Sequence, residues 1–543
     1  MKRKAVAAVL TAVMVASMFT GCGSDKGSSS AKSTSAASAA NDTVDEDGKV
    51  NGIMYQEGLP LVDEGAYTFS IFCDDSSESG EFIMLDEFKK QTNVDVDLKI
   101  YPYETATERL NLDLNSGDYA DVIGGWTLSD NAILTYGVNQ GVFIPLEDYF
   151  EKYCPNISAI LDLPGVREKM TAPDGHIYTI PYVCTDTTVG YSPYINTKWL
   201  ENVGMSMPTT TDEFEAVLKA FKEQDANGNG DASDEIPFST DPNNKHIEAM
   251  AGYFGLPMNK LGIAIQNEKV VYGGVSDTYR EFLSWFHKLY AEGLVDVELY
   301  TQDSSTWEGK GNQDLYGVSI AYGSNEFTGI PAAEERGDFD SMPVLNTDKD
   351  GIWLRDTEGF SVYRTQAVIT NKAEHPEIIC RWFDNAFALE NGIGCNRGPV
   401  GVIVNKEDDG YHAIDTTTLS EEDQEKYSWG NLWPQSLPKY LPVDFEFVEE
   451  HPMYDEKKAT EEAYEANLTK EIIPSYWIDL DKIDTFSDTN TAIKDFFEQQ
   501  QAQFVCGELD IDNDADWQAY VDGMYSLGLE DWVATQGIEE IAK

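Results

Sequence analysis

The sequence predicts an α/β protein built on parallel sheet, with enough chain for two domains. Tyr67, Phe69, Ile71 and Cys73 alternate with other residues as a strand does, Phe82, Leu85 and Phe88 follow at helical spacing, and Val94, Val96, Leu98 and Ile100 alternate again. Strand, helix, strand within about 35 residues is a βαβ unit, whose strands lie parallel. Beyond its leader and the tether that follows it, the chain has about 490 residues, more than one hydrophobic core ordinarily supports.

The leader comes first. Lys2, Arg3 and Lys4 form a basic start, and residues 5–19 are apolar, too short and too early for a transmembrane helix. The run ends Phe19-Thr20-Gly21-Cys22, which resembles a bacterial lipoprotein signal, in which the cysteine is lipidated and becomes the mature N-terminus. The alternative is an ordinary secretory signal cleaved elsewhere. Residues 23–51 are rich in Ser, Ala, Gly, Thr and Asp with almost no large apolar residues, too few to bury the surface that folding needs, and read as a flexible tether with a span of about 30 Å.

Composition then excludes several classes. With 96 acidic against 38 basic residues the formal charge is -58, which repels DNA, RNA and anionic lipid and disfavours a strongly anionic ligand. Six cysteines remain beside Cys22, scattered and without a C-x-x-C, so a zinc ribbon or thioredoxin-like site is not expected and no pairing is assigned.

After the βαβ unit a helix carries Leu110 and Leu114, and Asp121 to Gly124 is a further strand. Gly124 and Gly125 end it, leaving Trp126 beyond the carboxyl end, the edge where open α/β sheets bind ligands. Trp126 is the first ligand candidate, against the alternative of a core tryptophan under a loop. Next, Thr210 and Glu213 form a capping box, and Phe214, Val217, Leu218 and Phe221 give a helix one apolar face. That helix leads into Asp-Ala-Asn-Gly-Asn-Gly-Asp-Ala-Ser-Asp-Glu from Asp225 to Glu235. Asp225, Asn227 and Asn229 place oxygens at alternate positions, Gly230 permits a sharp turn, and Asp231, Asp234 and Glu235 add oxygens on the far side. Oxygens around a glycine turn suit Ca²⁺, and the first half matches the EF-hand pattern. The second half departs from it, with Ile236 where an EF-hand places Glu. The alternative is a polar turn that binds nothing.

Several segments occur in order: Ser116-Gly117-Asp118-Tyr119-Ala120-Asp121-Val122-Ile123, Gly141-Val142-Phe143-Ile144-Pro145-Leu146, Asp174-Gly175-His176-Ile177-Tyr178-Thr179-Ile180-Pro181, and Tyr194-Ile195-Asn196-Thr197-Lys198-Trp199-Leu200. With the loop at Asp225 and the tail helices they resemble the family 1 extracellular solute-binding proteins of ABC sugar importers, in the large branch with the alginate-oligosaccharide-binding proteins. The resemblance implies a two-lobed periplasmic-binding-protein-like (type 2) fold closing over a ligand. It places residues 52–184 and about 360–425 in the first lobe, and 185–359 and about 426–543 in the second. It also implies a structural calcium at the loop, a carbohydrate ligand, an ABC permease as partner, and a monomer lipid-anchored outside the cell.

Cleft candidates are Tyr178, Tyr182 and Tyr191 near the crossover, Tyr322 after the strand ending at Ala321, Arg397 as a hydroxyl donor, and Trp429 and Trp433 in a loop-like stretch. Aromatic faces stack on the C–H faces of pyranose rings. An enzyme is not expected: the sequence has no G-x-S-x-G, no H-E-x-x-H and no P-loop. A secreted glycoside-active enzyme, or a sugar sensor or adhesin without transport, are the readings kept beside capture for import.

Overall fold

The computed structural model describes residues 42–75, 81–241, 246–329, 338–414, 416–448 and 452–542. Cys22 and residues 23–41 of the expected tether lie outside them, whereas its last residues are folded: Lys49–Val50 pairs antiparallel with Met54–Tyr55, and Val50 is buried in the first lobe's core because its apolar side chain packs there. The described residues fall in one unit, Ala37–Lys543, and no helix among them is long and apolar enough to cross a membrane.

The first lobe is built on a four-stranded sheet. Its central strand Tyr67–Asp74 pairs in parallel with Val94–Tyr101 on one side and Val122–Gly124 on the other. Ala367–Ile369, from much later in the chain, adds an antiparallel edge beside Val122–Gly124. Helices Ile83–Thr92 and Tyr103–Ser116 make the crossovers, and bury Met84 and Phe88, and Leu110 and Leu114, against the sheet. The sheet is covered on both faces, as crossover helices require.

The second lobe repeats the plan with another strand order. Ser192–Asn196 and Tyr316–Ala321 pair antiparallel at the centre, flanked by Phe339–Ser341 and by Ile236–Thr240, which is parallel to Tyr316–Ala321. Helix Thr211–Glu223 buries Phe214, Val217, Leu218 and Phe221, the face its spacing marks. The Thr210 hydroxyl accepts from the Glu213 N–H at 3.2 Å. Glu213 reaches back one residue further than a capping box requires, to the N–H and hydroxyl of Thr209. Helices Asp277–Ala291, Ile483–Cys506 and Asp514–Ser526 pack on the same core through Phe286, Phe497, Phe504 and Trp517.

A two-stranded antiparallel ribbon joins the lobes: Tyr182–Thr185 leaves the first and Phe360–Tyr363 returns to it. The expected boundary at residue 426 shifts. Trp433 and Leu437 are buried in the first lobe's core, with Tyr440 and Val443 packed against it, because this apolar run covers the sheet end at Gly124. Trp477 and Ile478 touch first-lobe residues again, near Leu134.

Candidate functional site

Sheet register brings the key side chains to two facing edges. In the first lobe, Asp74 lies opposite Tyr101 and Cys73 opposite Gly124, so Asp74, Asp75 and Trp126 emerge together at the carboxyl edge. Gly125 has φ +131°, and a Cβ there would meet the Asp74 carboxylate at 2.3 Å, so only glycine lets the chain turn this closely. Asp74 then accepts from the N–H groups of Trp126 at 3.0 Å and Thr127 at 2.6 Å. This turn holds Trp126 46% exposed. Its ring meets Tyr363 edge-on at 5.3 Å and Tyr182 at 6.4 Å, and those two tyrosines stack on each other at 5.5 Å.

In the second lobe Ser192 pairs with Ala321, so Tyr191 and Tyr322 stand just beyond the ends of neighbouring strands. Their rings meet at 6.1 Å. His246 lies flat on one face of Tyr191, at 3.9 Å. The Tyr322 hydroxyl donates to Asp186 at 3.3 Å, and the Ser361 hydroxyl donates to the other oxygen of Asp186 at 2.5 Å. Asp186 directly follows the ribbon's outgoing strand and Ser361 lies on its return strand, so aromatic residues line both edges with the ribbon between them.

The surroundings are polar and acidic. Desolvation raises the Glu326 carboxyl above the usual range, and burial lowers His246 to about 4, keeping it neutral. Asp356 is exposed to solvent and accepts from the Gly190 N–H at 2.7 Å. Two cations are sunk into the walls: Lys439 of the first lobe and Lys457 of the second, each lowered to about 8 by burial.

The sequence candidates divide. Trp126, Tyr182, Tyr191 and Tyr322 come together along this wall. Trp429 is 53% exposed and is held over Lys439 at 5.2 Å, on the loop whose Gln435 N–H donates to Asp75. Arg397 ends helix Leu389–Arg397 with its guanidinium 5.8 Å from the Phe447 ring, and its charge helps to lower Lys439. Tyr178 and Trp433 do not belong to the wall. Tyr178 is 5% exposed, packed under Gly137, its hydroxyl satisfied by Asp174 at 2.7 Å. Trp433 is fully buried, stacked on Trp382 at 5.8 Å and tilted on Phe88 at 5.3 Å. Sequence reasoning passed over Tyr363, Asp186 and His246. Tyr363 had a signal, since it sits on the returning strand opposite Tyr182.

The loop after helix Thr211–Glu223 curls on itself. Asn227 Oδ1 accepts from the Asn229 N–H at 3.0 Å, Asn229 Oδ1 from the Asp231 N–H at 2.7 Å, and Asp225 Oδ2 from the Gly230 N–H at 3.0 Å. Asp234 accepts from both asparagine amides, Glu235 Oε1 from the Ala226 N–H, and the Asp231 carboxylate from Ser233. The other oxygens, Asp225 Oδ1 and Glu235 Oε2, are buried without a hydrogen-bond partner. Two carboxylate oxygens shut from water and lacking donors, within an all-oxygen set, fit a hard divalent cation. Desolvation accordingly raises Glu235.

Two concavities lie away from the wall. One of about 240 Å³ is lined by Phe72, Lys99, Tyr101 and Arg109; the other, of about 570 Å³, by Asn346, Ile352 and Thr469.

Known proteins share this architecture. The chain is 32% identical over 379 residues to the fructooligosaccharide ABC transporter substrate-binding protein FusA of Streptococcus pneumoniae serotype 4 (strain ATCC BAA-334 / TIGR4), covering 67% of this chain and 68% of that one. The structure of an EF-hand mutant of S. pneumoniae FusA with fructo-nystose superposes with TM-score 0.75 at 27% identity, over 86% of this chain and 98% of that one. The alginate-binding protein AlgQ2, solved without calcium ion, shares the fold with TM-score 0.70 at 22% identity, over 89% and 99% of the two chains. The family described as bacterial extracellular solute-binding protein matches residues 76–392. With that match laid over two α/β lobes and an aromatic wall between them, the chain belongs to the bacterial extracellular solute-binding proteins.

Proposed function

We propose that this chain captures a neutral oligosaccharide between its lobes and delivers it intact, as a monomer, to an ABC permease. The observation that carries the reading is the aromatic line Trp126, Tyr363 and Tyr182, continued by Tyr322 and Tyr191 across the ribbon. Such rings stack on sugar C–H faces while Asp186 and Asp356 take hydroxyls. Neutrality follows from those carboxylates, which would repel a uronate. The named relative FusA binds fructooligosaccharides, which makes a fructan the first ligand to test. Capture without bond cleavage accords with relatives that are substrate-binding proteins. Lobe closure about the ribbon would follow from contacts made only in the closed state.

The test is a thermal-shift panel of neutral fructans, other neutral glycans and uronate oligomers. Neutral oligosaccharides are expected to raise the melting temperature by mass action. Stabilisation by uronates alone, or by none of the panel, overturns the reading.

Asp225, Asn227, Asn229, Asp234, Glu235 and the Asp231 carbonyl would hold a calcium ion that staples the helix exit to strand Ile236–Thr240. Bound there, the ion supplies cross-linking and no chemistry.

Lipid anchoring at Cys22 would keep the tethered body at the outer face of the cell membrane. Cys22→Ala is expected to move the protein from the membrane fraction to the medium; unchanged fractionation contradicts anchoring.

A further inference from the structure

Helix Pro452–Tyr464 sends three side chains to the loops that carry the second lobe's wall. Glu456 accepts from the Ser324 N–H at 2.8 Å and the Ser324 hydroxyl at 2.6 Å. Glu461 accepts from the Thr188 N–H at 2.5 Å and its hydroxyl at 3.0 Å. Between them Lys457, 2% exposed, donates to the Gly190 carbonyl at 2.7 Å and the Tyr322 carbonyl at 2.5 Å. The same ammonium stands 4.0 Å from the Tyr322 ring centroid.

We propose that Lys457 is a positioning residue for the oligosaccharide: one buried ammonium fixes the backbone at both Tyr191 and Tyr322 without touching the ligand. The inference rests on the reading of those tyrosines as part of the ligand wall. Gly190 precedes Tyr191 and is gripped at both ends, its N–H by Asp356 and its carbonyl by Lys457. A Cβ at Gly190 would meet Asp356 at 2.7 Å, so the close grip needs glycine. Tyr322 is held just as fully. Its N–H donates to Glu326 at 2.9 Å, its carbonyl accepts from Lys457 and from the Tyr194 hydroxyl at 3.1 Å, and its hydroxyl reaches Asp186. The strands behind them pair Ser192 with Ala321, so the two carbonyls project from adjacent strand ends toward one point. A single cation there ties the strand ends together and fixes the angle between the two rings. Ring geometry set by a side chain outside the ligand's reach is the support a binding constellation needs.

A buried lysine is an expensive tie. Its charge is offset by Glu456 on its own helix, Glu326 on helix Asn325–Thr328, and Asp356 and Asp186 beside the ribbon. These carboxyls and Tyr322, whose phenol is pushed up by burial, are the titratable groups that face it. Because the folded pKa is depressed, the ammonium is lost as pH rises through about 8, and ring positioning weakens with it. Lys439 of the first lobe titrates in the same range, so the wild-type profile alone does not assign the effect.

The test uses the full mature chain, titrated with a fructooligosaccharide pool. Lys457→Met is expected to weaken binding at least about tenfold at pH 7 with unchanged circular dichroism, and Lys457→Arg to restore it to within about threefold. Wild-type affinity is expected to fall between about pH 7.5 and 9.5, and the arginine variant, which stays charged, to hold its affinity there. A folded methionine variant that binds as the wild type does overturns the inference. If that variant does not fold, parallel pH profiles of wild type and arginine variant overturn it. A wild type that binds none of the pool or the panel removes the functional reading as well.

Discussion

Trp126→Ala binds oligosaccharide about thirtyfold more weakly than the wild type and melts within about 2 °C of it. Both halves follow from where the indole sits. It is 46% exposed at the carboxyl edge of the first sheet, with its ring against Tyr363 edge-on and tilted on Tyr182. Little core is lost with it, so folding is spared. A desolvated aromatic anchor at the centre of a binding surface contributes about 2 kcal/mol or more, which is the thirtyfold. The backbone turn that presents it is made by Asp74 and Gly125, which stay in place. Calorimetry on wild type and variant reads the affinity. An unchanged Kd would mean that sugar never covers this ring.

Exhaustive calcium removal lowers the melting temperature by about 3 to 5 °C. A ligand at a hundred times its Kd stabilises the folded state by about 2.7 kcal/mol, which shifts a lobe or a body of this size by that amount. The expectation rests on Asp225 Oδ1 and Glu235 Oε2, which are buried with no donor to face. Asp225→Ala is expected to melt at the calcium-free temperature and to ignore added calcium. Scanning calorimetry with and without chelator reads both. A chelator-insensitive wild type would mean that the loop closes without metal.

Much of this was legible in the residues. Alternation in Tyr67–Asp74 and Val94–Tyr101 marks strands, because only one register buries an apolar face. The exposed place of Trp126 at the sheet edge was legible because a glycine pair closes the strand just before it. Tyr178 and Trp433 were not, because an aromatic residue in a loop-like stretch carries no sign of which side it turns to. Tyr178 finds its partner in Asp174 four residues back, and Trp433 wedges against Trp382, about fifty residues back along the chain. Lys457 was the least legible. In Glu-Lys-Lys-Ala-Thr-Glu-Glu it reads as one charge on a solvated helix face, and only the fold carries the carbonyls of Gly190 and Tyr322 to it.

The central claim is capture of a sugar that leaves unchanged. Titration of the calcium-loaded mature chain with a fructooligosaccharide pool, followed by mass analysis of the recovered sugar, tests it directly. Saturable heat at one site per chain, with every oligosaccharide recovered at its starting length, is the result expected. Shortened products, or no heat from this pool or from any other oligosaccharide of the panel, would contradict it.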